Sequence, residues 1–468
     1  MISVDRRIAV FENMPVRKAV CKQLIPSIAS QMIALIYSLA DTYFVGKLND
    51  PNQTAAIAVA ASSFVMLTAI SNLFGVGGAS LIAQSLGKKD TEQAKQLSNA
   101  SFHGGLISSI LFSAVFYFLA APILRLCGAS DAILPYALGY AKWIIVFGGT
   151  ATILSTLLGN LVRAEGSALI ASIGISLGGI INIILDPIFI LPQGFGLGAV
   201  GAGIATAISN LLSTFYFVGY IILKRNTTII RLEPSRLRFD IHRLKAIIAI
   251  GLPSAIQYAL TVVAIAAQSK FVSKYDAQAV AGLGIVKKLD QLPLYFSIGV
   301  ANGLLPLLAY NYAAKNYDRQ KQAFKLGCFI SFGMSLICLI FYEIFAPELI
   351  GLFIKDSLTQ KYGSAFLRCM VTAMPMMSVC YPMIIQFQAM GRVRASLICS
   401  ILRKGILDIP LLFIMDALIP LYGCMLVQPI VDTTSLIVAI LFSIRINKEL
   451  QSGKEGLAIQ NAFSNTSS

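Results

Sequence analysis

Apolar segments of about 20 residues recur along the whole of this 468-residue chain, and they restrict its fold more than any other feature. A helix of about 20 residues crosses the hydrocarbon core of a bilayer. Charged residues make up 13% of the chain, against about 25% in soluble domains. A membrane β-barrel would show alternating ten-residue segments instead, and the sequence has none. We therefore predict an all-α membrane protein with twelve transmembrane helices.

The chain consists of two related halves. The segment Ile25 to Lys47 returns 227 positions later as Leu252 to Lys274, so that Pro26 matches Pro253. Six spans per copy is an even number, so both copies enter the membrane in the same orientation. This predicts two six-helix bundles that are related by a pseudo-two-fold axis along the membrane normal. The predicted division is an N-terminal bundle over residues 1–223, a cytosolic linker over 224–245, and a C-terminal bundle with a short cytosolic tail over 246–468.

The net charge of +15 reflects membrane topology and does not predict nucleic-acid binding. Basic residues concentrate in alternate loops between spans, as the positive-inside rule requires, which predicts that both termini are cytosolic. The linker is the longest polar stretch, and we interpret it as an inside loop, with contact to anionic lipid as the alternative. The first 22 residues are basic and lack a cleavage site, so they predict a cytosolic leader, not a signal peptide.

The sequence contains no pattern typical of an enzyme or a cofactor-binding protein. Its eight cysteines include no CxxC pair, and its two histidines lie far from any cysteine cluster, which argues against metal and disulfide frameworks. Glycine groups such as Phe74 to Ser80 lack the GxxxxGK[ST] pattern and predict close helix packing. We expect no cofactor beyond a transported ion.

Two acids in the first half are the main candidates for a functional site. Asp41 ends an uncharged apolar run, and an ionised group inside a span costs about 3 kcal/mol or more, so it usually faces a polar cavity. In the fifth span, Asn182 and Asp186 are four residues apart on one helical face. Pro187 frees the carbonyl of Ile183, and such oxygens suit a hard cation or a proton. A helix-end cap near the outer surface is the alternative.

Both acids lie late in outward-running spans and therefore at similar depth. Two carboxylates in one low-dielectric pocket favour a shared proton, whereas Na⁺ would relieve their repulsion, and the sequence does not choose between the ions. Thr206 in the sixth span offers a further oxygen ligand, and Tyr140 and Asn160 in the fourth span extend the polar lining. Simple interhelical hydrogen bonds are the alternative for these three side chains.

The second half places charges inside two spans, and two interpretations remain open. The side chains pair with each other or extend along apolar surface to the inner face, or they line the inner cavity and help to gate it. The residues in question are Lys287, Lys288 and Asp290 in the eighth span, and Arg403, Lys404 and Asp408 in the eleventh.

Three segments together resemble the multidrug and toxic compound extrusion (MATE) family, in its DinF-like and MepA-like bacterial branch. They are FGVGGASLIAQSLGKKD after span two, VRAEGS after span four and NIILDPIFI in span five. The resemblance covers essentially the whole chain and implies a cation site formed by the first-span acid and the Asn/Asp pair of span five. It transfers that role to Asp41, Asn182, Asp186 and Thr206, more loosely to Tyr140 and Asn160, and a helix-bending role to Pro26.

The resemblance implies a monomeric secondary transporter in the bacterial inner membrane. It would exchange inward-moving H⁺ or Na⁺ for drug-like, amphipathic organic cations by alternating access. A flippase for a lipid-linked precursor is the alternative, because a cationic cavity could hold a pyrophosphate. The residues that keep this alternative open are Lys287, Lys288, Arg403 and Lys404.

Overall fold

The computed structural model describes residues 2–48, 50–233 and 240–452, and the elements that it assigns there are all helical. Within these ranges, two short π-helical segments, Lys142–Phe147 and Leu402–Ile406, interrupt the helices. The helices are α1 Ile2–Glu12, α2 Val16–Gly46, α3 Pro51–Gly87, α4 Thr91–Leu126, α5 Leu134–Ala141, α6 Gly149–Ala164, α7 Ala168–Ile190, α8 Gly198–Leu223, α9 Ile241–Val272, α10 Ala277–Ala313, α11 Tyr317–Gly351, α12 Ser357–Val371, α13 Met374–Ala389, α14 Val393–Ile401, α15 Asp408–Leu418 and α16 Gly423–Gln451.

The twelve predicted spans coincide with these helices. Within the described residues, nine helices are long and apolar enough to cross a membrane singly. Two more spans are pairs, α5 with α6 and α12 with α13, bent by 48° and 45°. The eleventh predicted span is α14 and α15, which the π-helical segment separates. The all-α membrane fold is therefore confirmed, while the residue boundaries of the two bundles remain predictions.

Aspartates begin many of the helices. An aspartate at the N-cap accepts hydrogen bonds from backbone N–H groups that have no partner within the first turn of the helix. Asp356, for example, accepts from the backbone N–H of Thr359 at 2.8 Å and from its hydroxyl at 2.6 Å. Among the described helices, five begin in this way, with Asp50, Asp90, Asp240, Asp276 and Asp356 as the capping residues.

The N-terminal leader and the linker pack on the same side of the molecule, which we call the linker face; the other side is the opposite face. The sequence did not predict α1. Its Phe11 is fully buried and packs against Tyr310, with the two ring centres 5.4 Å apart. The linker is also not an open loop throughout. Ile229 and Ile230 are buried, and Glu165 accepts from the backbone N–H of Ile229. Residues 234–239 of the linker, with Arg236 and Arg238, lie outside the described residues.

Glycines bring the two halves into backbone contact near the linker face. α3 packs along α9, and α2 packs along α10. A Cβ on Gly251 of α9 would lie 1.8 Å from the carbonyl oxygen of Leu73 in α3. A Cβ on Gly77 of α3 would lie 2.1 Å from the carbonyl oxygen of Ile247. Only residues without a side chain permit this approach, so these glycines hold the halves closed on the linker face.

Candidate functional site

Three polar side chains of α7 and α8 meet in the buried interior of the first half. The amide Nδ2 of Asn182 donates to Asp186 Oδ1 at 3.2 Å and to Thr206 Oγ1 at 3.3 Å. Asp186 is fully buried, and the other two side chains are nearly so. The four-residue spacing on α7 places Asn182 and Asp186 on one face, and the packing of α8 adds Thr206.

Several oxygens of this cluster and of its neighbour in α2 have no hydrogen-bond partner in the part of the chain that the structure describes. Asp41 Oδ1, Asn182 Oδ1 and Asp186 Oδ2 are buried and accept no hydrogen bond within the described residues. The carboxylates of Asp41 and Asp186 are close enough to interact electrostatically. Buried polar atoms are rarely left unpaired, so these oxygens fit a bound proton or a hard cation such as Na⁺. We call Asp41, Asn182, Asp186 and Thr206 the acidic cluster.

The ligand set suits a monovalent ion better than a transition metal. Within the described residues, no group of three or more histidine, cysteine or acidic side chains could hold a metal ion. Carboxylate, amide and hydroxyl oxygens dominate the acidic cluster, and these are hard ligands. The residues therefore fit Na⁺ or a proton.

Two tyrosines border the acidic cluster, and one of them was not predicted. Tyr140 is buried and interacts electrostatically with both Asp41 and Asp186. Tyr37 of α2 interacts with the same acids, and it packs where Gly179 lets α2 approach α7. The signal for Tyr37 in the sequence was its position four residues before Asp41, on the same face of α2.

The structure places the other fourth-span candidate elsewhere. Asn160 accepts a hydrogen bond from Arg163 Nη1 at 2.8 Å, one turn along the same helix. Within the described residues, no hydrogen bond joins Asn160 to the acidic cluster. Asn160 therefore forms a structural hydrogen bond of the kind that the alternative interpretation describes, and its place in the polar lining stays a prediction.

A lysine of the second half reaches the acidic cluster across the contact between the two halves. Lys288 of α10 donates from Nζ to Thr42 Oγ1 at 2.8 Å, and it interacts electrostatically with the adjacent Asp41. For Lys288 the sequence left three options open: pairing with the other charges, extension to the inner face, and lining of the inner cavity. In the antiparallel pair of α2 and α10 it instead lies beside the acid of the first half.

The other charges of the second half form a buried network. Arg403 Nε donates to Asp432 Oδ1 at 2.9 Å, and the two side chains are 1% and 0% exposed. Gln428 donates to Asp432 Oδ2 at 2.6 Å and accepts from Lys404 Nζ at 2.6 Å. The guanidinium of Arg403 also lies 4.1 Å from the ring centre of Tyr381. Arg403, Lys404 and Asp432 therefore all have hydrogen-bond partners inside the second half.

Extension to the inner face does not describe Arg403, Lys404 and Lys287. Pairing among buried charges, the other part of that interpretation, describes Arg403 and Lys404. Lys287 Nζ instead donates to the carbonyl of Ile265 and to Ser269 Oγ in α9, at 3.3 and 3.2 Å. Asp290 and Asp408 interact electrostatically with Lys404 and complete the network. Sequence reasoning missed Asp432 of α16, although an acid inside the apolar run PIVDTTSLIV was a visible signal.

Pro26 lies within α2, which continues through it as one helix from Val16 to Gly46. Proline has no N–H, so the carbonyl of Lys22 lacks its usual helical partner. A locally weakened turn is a suitable point for a bend, and the bending role of Pro26 remains a prediction.

Both halves of the chain match the same protein family. The sequence model of the MatE family matches the chain twice, over residues 26–188 and 253–414. The chain is 30% identical over 437 residues to the Multidrug export protein MepA of Staphylococcus saprophyticus, covering 93% of this chain and 95% of that protein. It is also 30% identical over 420 residues to MepA of Staphylococcus aureus strain MRSA252, covering 90% and 91%.

Solved structures show the same fold. A structure described as the outward-facing conformation of a multidrug resistance MATE family transporter of the MOP superfamily aligns with a TM-score of 0.88 at 23% identity, covering 95% of this chain and 98% of that one. A MATE structure in complex with MaL6 aligns with a TM-score of 0.88 at 23% identity, covering 95% and 99%. The double match to the family model, together with relatives aligned over nine-tenths of the sequence, shows that this chain belongs to the MatE family of membrane proteins.

Proposed function

We propose that this protein is a secondary transporter that exports amphipathic organic cations in exchange for H⁺ or Na⁺. The observation that carries the proposal is the acidic cluster, in which buried oxygens without partners lie inside a membrane-spanning half. The MepA relatives are named multidrug export proteins, which supports efflux of drug-like molecules. The alternating placement of basic loops supports a bacterial inner-membrane location with the linker face and both termini in the cytosol.

The acidic cluster gives the exchange a physical basis. Two carboxylates in a low-dielectric interior are stable only when a cation or a proton compensates their charge. A coupling cation and a cationic substrate both stabilise these same charges, so binding of one weakens binding of the other. By linkage the effect is reciprocal, which is the requirement for exchange.

Packing of the halves suggests how the exchange is coupled to movement. The glycine contacts of α3 with α9 close the linker face, so this conformation is closed toward the cytosol in the proposed orientation. Cation binding at Asp41 and Asp186 rearranges the first half near Pro26, shrinks its pocket and releases the substrate outward. Substrate that arrives from the cytosolic side then favours release of the cation.

The flippase alternative finds little support in the second half. A pyrophosphate needs several cationic groups that are free to bind it. Arg403 instead pairs with Asp432, and Lys404 donates to Gln428. Lys287 binds α9, and Lys288 lies beside Asp41, which would repel a phosphate.

The test uses purified protein in lipid vesicles, with efflux of a cationic dye driven by separately imposed pH and sodium gradients. Asp41→Asn keeps the size of the side chain and removes its charge. We expect one gradient to drive the wild type and Asp41→Asn to lose gradient-driven transport while dye binding persists. Asp131→Asn, on an exposed acid of the opposite face, is the matched control. Normal transport by Asp41→Asn under both gradients would refute the proposed site.

A further inference from the structure

A cavity of about 490 Å³ opens at the linker-face end of the second half, remote from the acidic cluster. Three helices and the turn before α11 form its walls. The residues that the argument uses are Lys321 and Lys325 of α11, Gln320 of the same helix, Gln386 of α13, and Phe324 and Met390 beside them.

Regular helical spacing places these side chains on the helix faces that line the cavity. Lys321 and Lys325 are four residues apart on α11, so they lie one turn apart on the same face. Gln386 of α13 and Met390, which follows the last residue of that helix, have the same spacing. Both pairs therefore contribute a continuous stripe to the wall of the cavity.

The cavity is electropositive. Lys315, Lys321 and Lys325 are exposed and line it, and Asp318 is the one acid among the described lining residues. None of the three lysines forms an ion pair within residues 2–48, 50–233 and 240–452. Three unpaired ammonium groups around one opening favour an anion with several oxygens, such as a phosphate.

Two buried amides provide an independent indication of a ligand. Gln320 is 3% exposed and its Nε2 donates to nothing in the described part of the chain; Gln386 is 7% exposed and its Oε1 accepts nothing there. Leaving such a group unpaired costs about 1–3 kcal/mol, so each indicates a missing partner. The cavity thus presents one free donor and one free acceptor. A phosphate oxygen satisfies the donor, and a hydroxyl group satisfies the acceptor.

The position of the cavity indicates where such a ligand comes from. The apolar part of α11 begins just after Lys325, so the lysines lie at the depth of lipid headgroups. Phe324 and Met390 add an apolar part to the wall, against which a glycerol backbone or acyl chain can pack. We propose that this cavity binds the phosphate of a hydroxyl-bearing anionic phospholipid from the linker-face leaflet.

Native mass spectrometry of the full chain, purified in detergent and titrated with phosphatidylglycerol, tests this. Each lysine near a membrane surface contributes about 1 kcal/mol, so Lys321→Gln/Lys325→Gln should weaken retention of the lipid by about fivefold per lysine. Lys18→Gln/Lys22→Gln removes the same charge from exposed positions one turn apart on α2, outside the cavity, and should leave retention unchanged. Both pairs change solvent-exposed side chains, so folding is preserved.

A third variant separates a built site from a diffuse charge effect. Gln320→Met preserves both charge and size, and loss of its hydrogen bond should weaken retention by about fivefold. Equal effects of the two lysine pairs, or equal retention of phosphatidylcholine, would overturn the proposal. Competition by millimolar sn-glycerol 1-phosphate as strong as that of the lipid would overturn the lipid source and assign the cavity to a soluble phosphate.

Discussion

The buried pair of Arg403 and Asp432 allows a quantitative prediction about the stability of the second half. Asp432→Asn keeps the shape of the side chain and removes the charge that faces the guanidinium at 2.9 Å. Removing one partner of a buried ion pair costs about 3–5 kcal/mol, because the other charge is left without compensation. Tyr381 remains at 4.1 Å and offsets part of that loss, so we expect about 3 kcal/mol.

The double variant distinguishes a mutual interaction from two separate ones. Arg403→Met alone should also cost about 3 kcal/mol, since it leaves Asp432 buried without its cation. Arg403→Met/Asp432→Leu replaces the pair by apolar side chains of similar size, and such replacements are often neutral or stabilising. Asp432→Leu also removes the acceptor of the Gln428 amide, so we expect the double variant to be about 1 kcal/mol less stable than the wild type. The coupling energy is then about 5 kcal/mol.

The assay is equilibrium unfolding in mixed micelles with a rising fraction of sodium dodecyl sulfate, followed by far-ultraviolet circular dichroism. Asp131→Asn serves as the reference variant, because its carboxylate is exposed and forms only a surface pair with Arg125. If the double variant lost about the sum of the two single losses, the two residues would not act as a pair. That result would refute the assignment of Arg403 and Asp432 as a coupled buried ion pair.

Two further predictions concern the packing of the halves and the helix caps. Gly251→Val inserts a side chain where even a Cβ would lie 1.8 Å from the Leu73 carbonyl, so it should separate α3 from α9 and increase the spin-label distance measured across the linker face. Gly333→Val, where a Cβ meets nothing within 4 Å, should leave that distance unchanged, and equal distances in both variants would contradict the closure by glycine contacts. Hydrogen bonds from Thr359 lower the pKa of Asp356 below its ordinary value of 3.8. The ionised cap therefore stabilises α12 fully at pH values above 3.8, and this stabilisation is lost as the pH falls through the lowered pKa. Asp356→Ala should therefore speed amide exchange at the start of α12 at pH 6, and the difference in exchange rate from wild type should become smaller at acidic pH. A difference in exchange rate that grows toward low pH would contradict the stabilising role of the ionised cap.

The sequence by itself determined the elements that depend on local pattern. Segment length and hydropathy predicted the spans, because crossing a bilayer fixes how long an apolar helix must be. The shift of 227 residues predicted two related halves, and the four-residue spacing placed Asn182 and Asp186 on one face. In each case the relevant residues are close in the chain, or repeat along it.

Tertiary structure decided which side chains meet across helices. Thr206 joins Asn182 because α8 packs against α7, and Asp432 pairs with Arg403 because α16 presents that face to the break at Leu402–Ile406. Lys288 lies beside Asp41 because α2 and α10 run antiparallel across the two halves. Hydropathy does not encode the rotation and tilt of each helix. Those follow from side-chain packing at helix contacts, where glycines such as Gly77 and Gly251 set how closely two backbones approach.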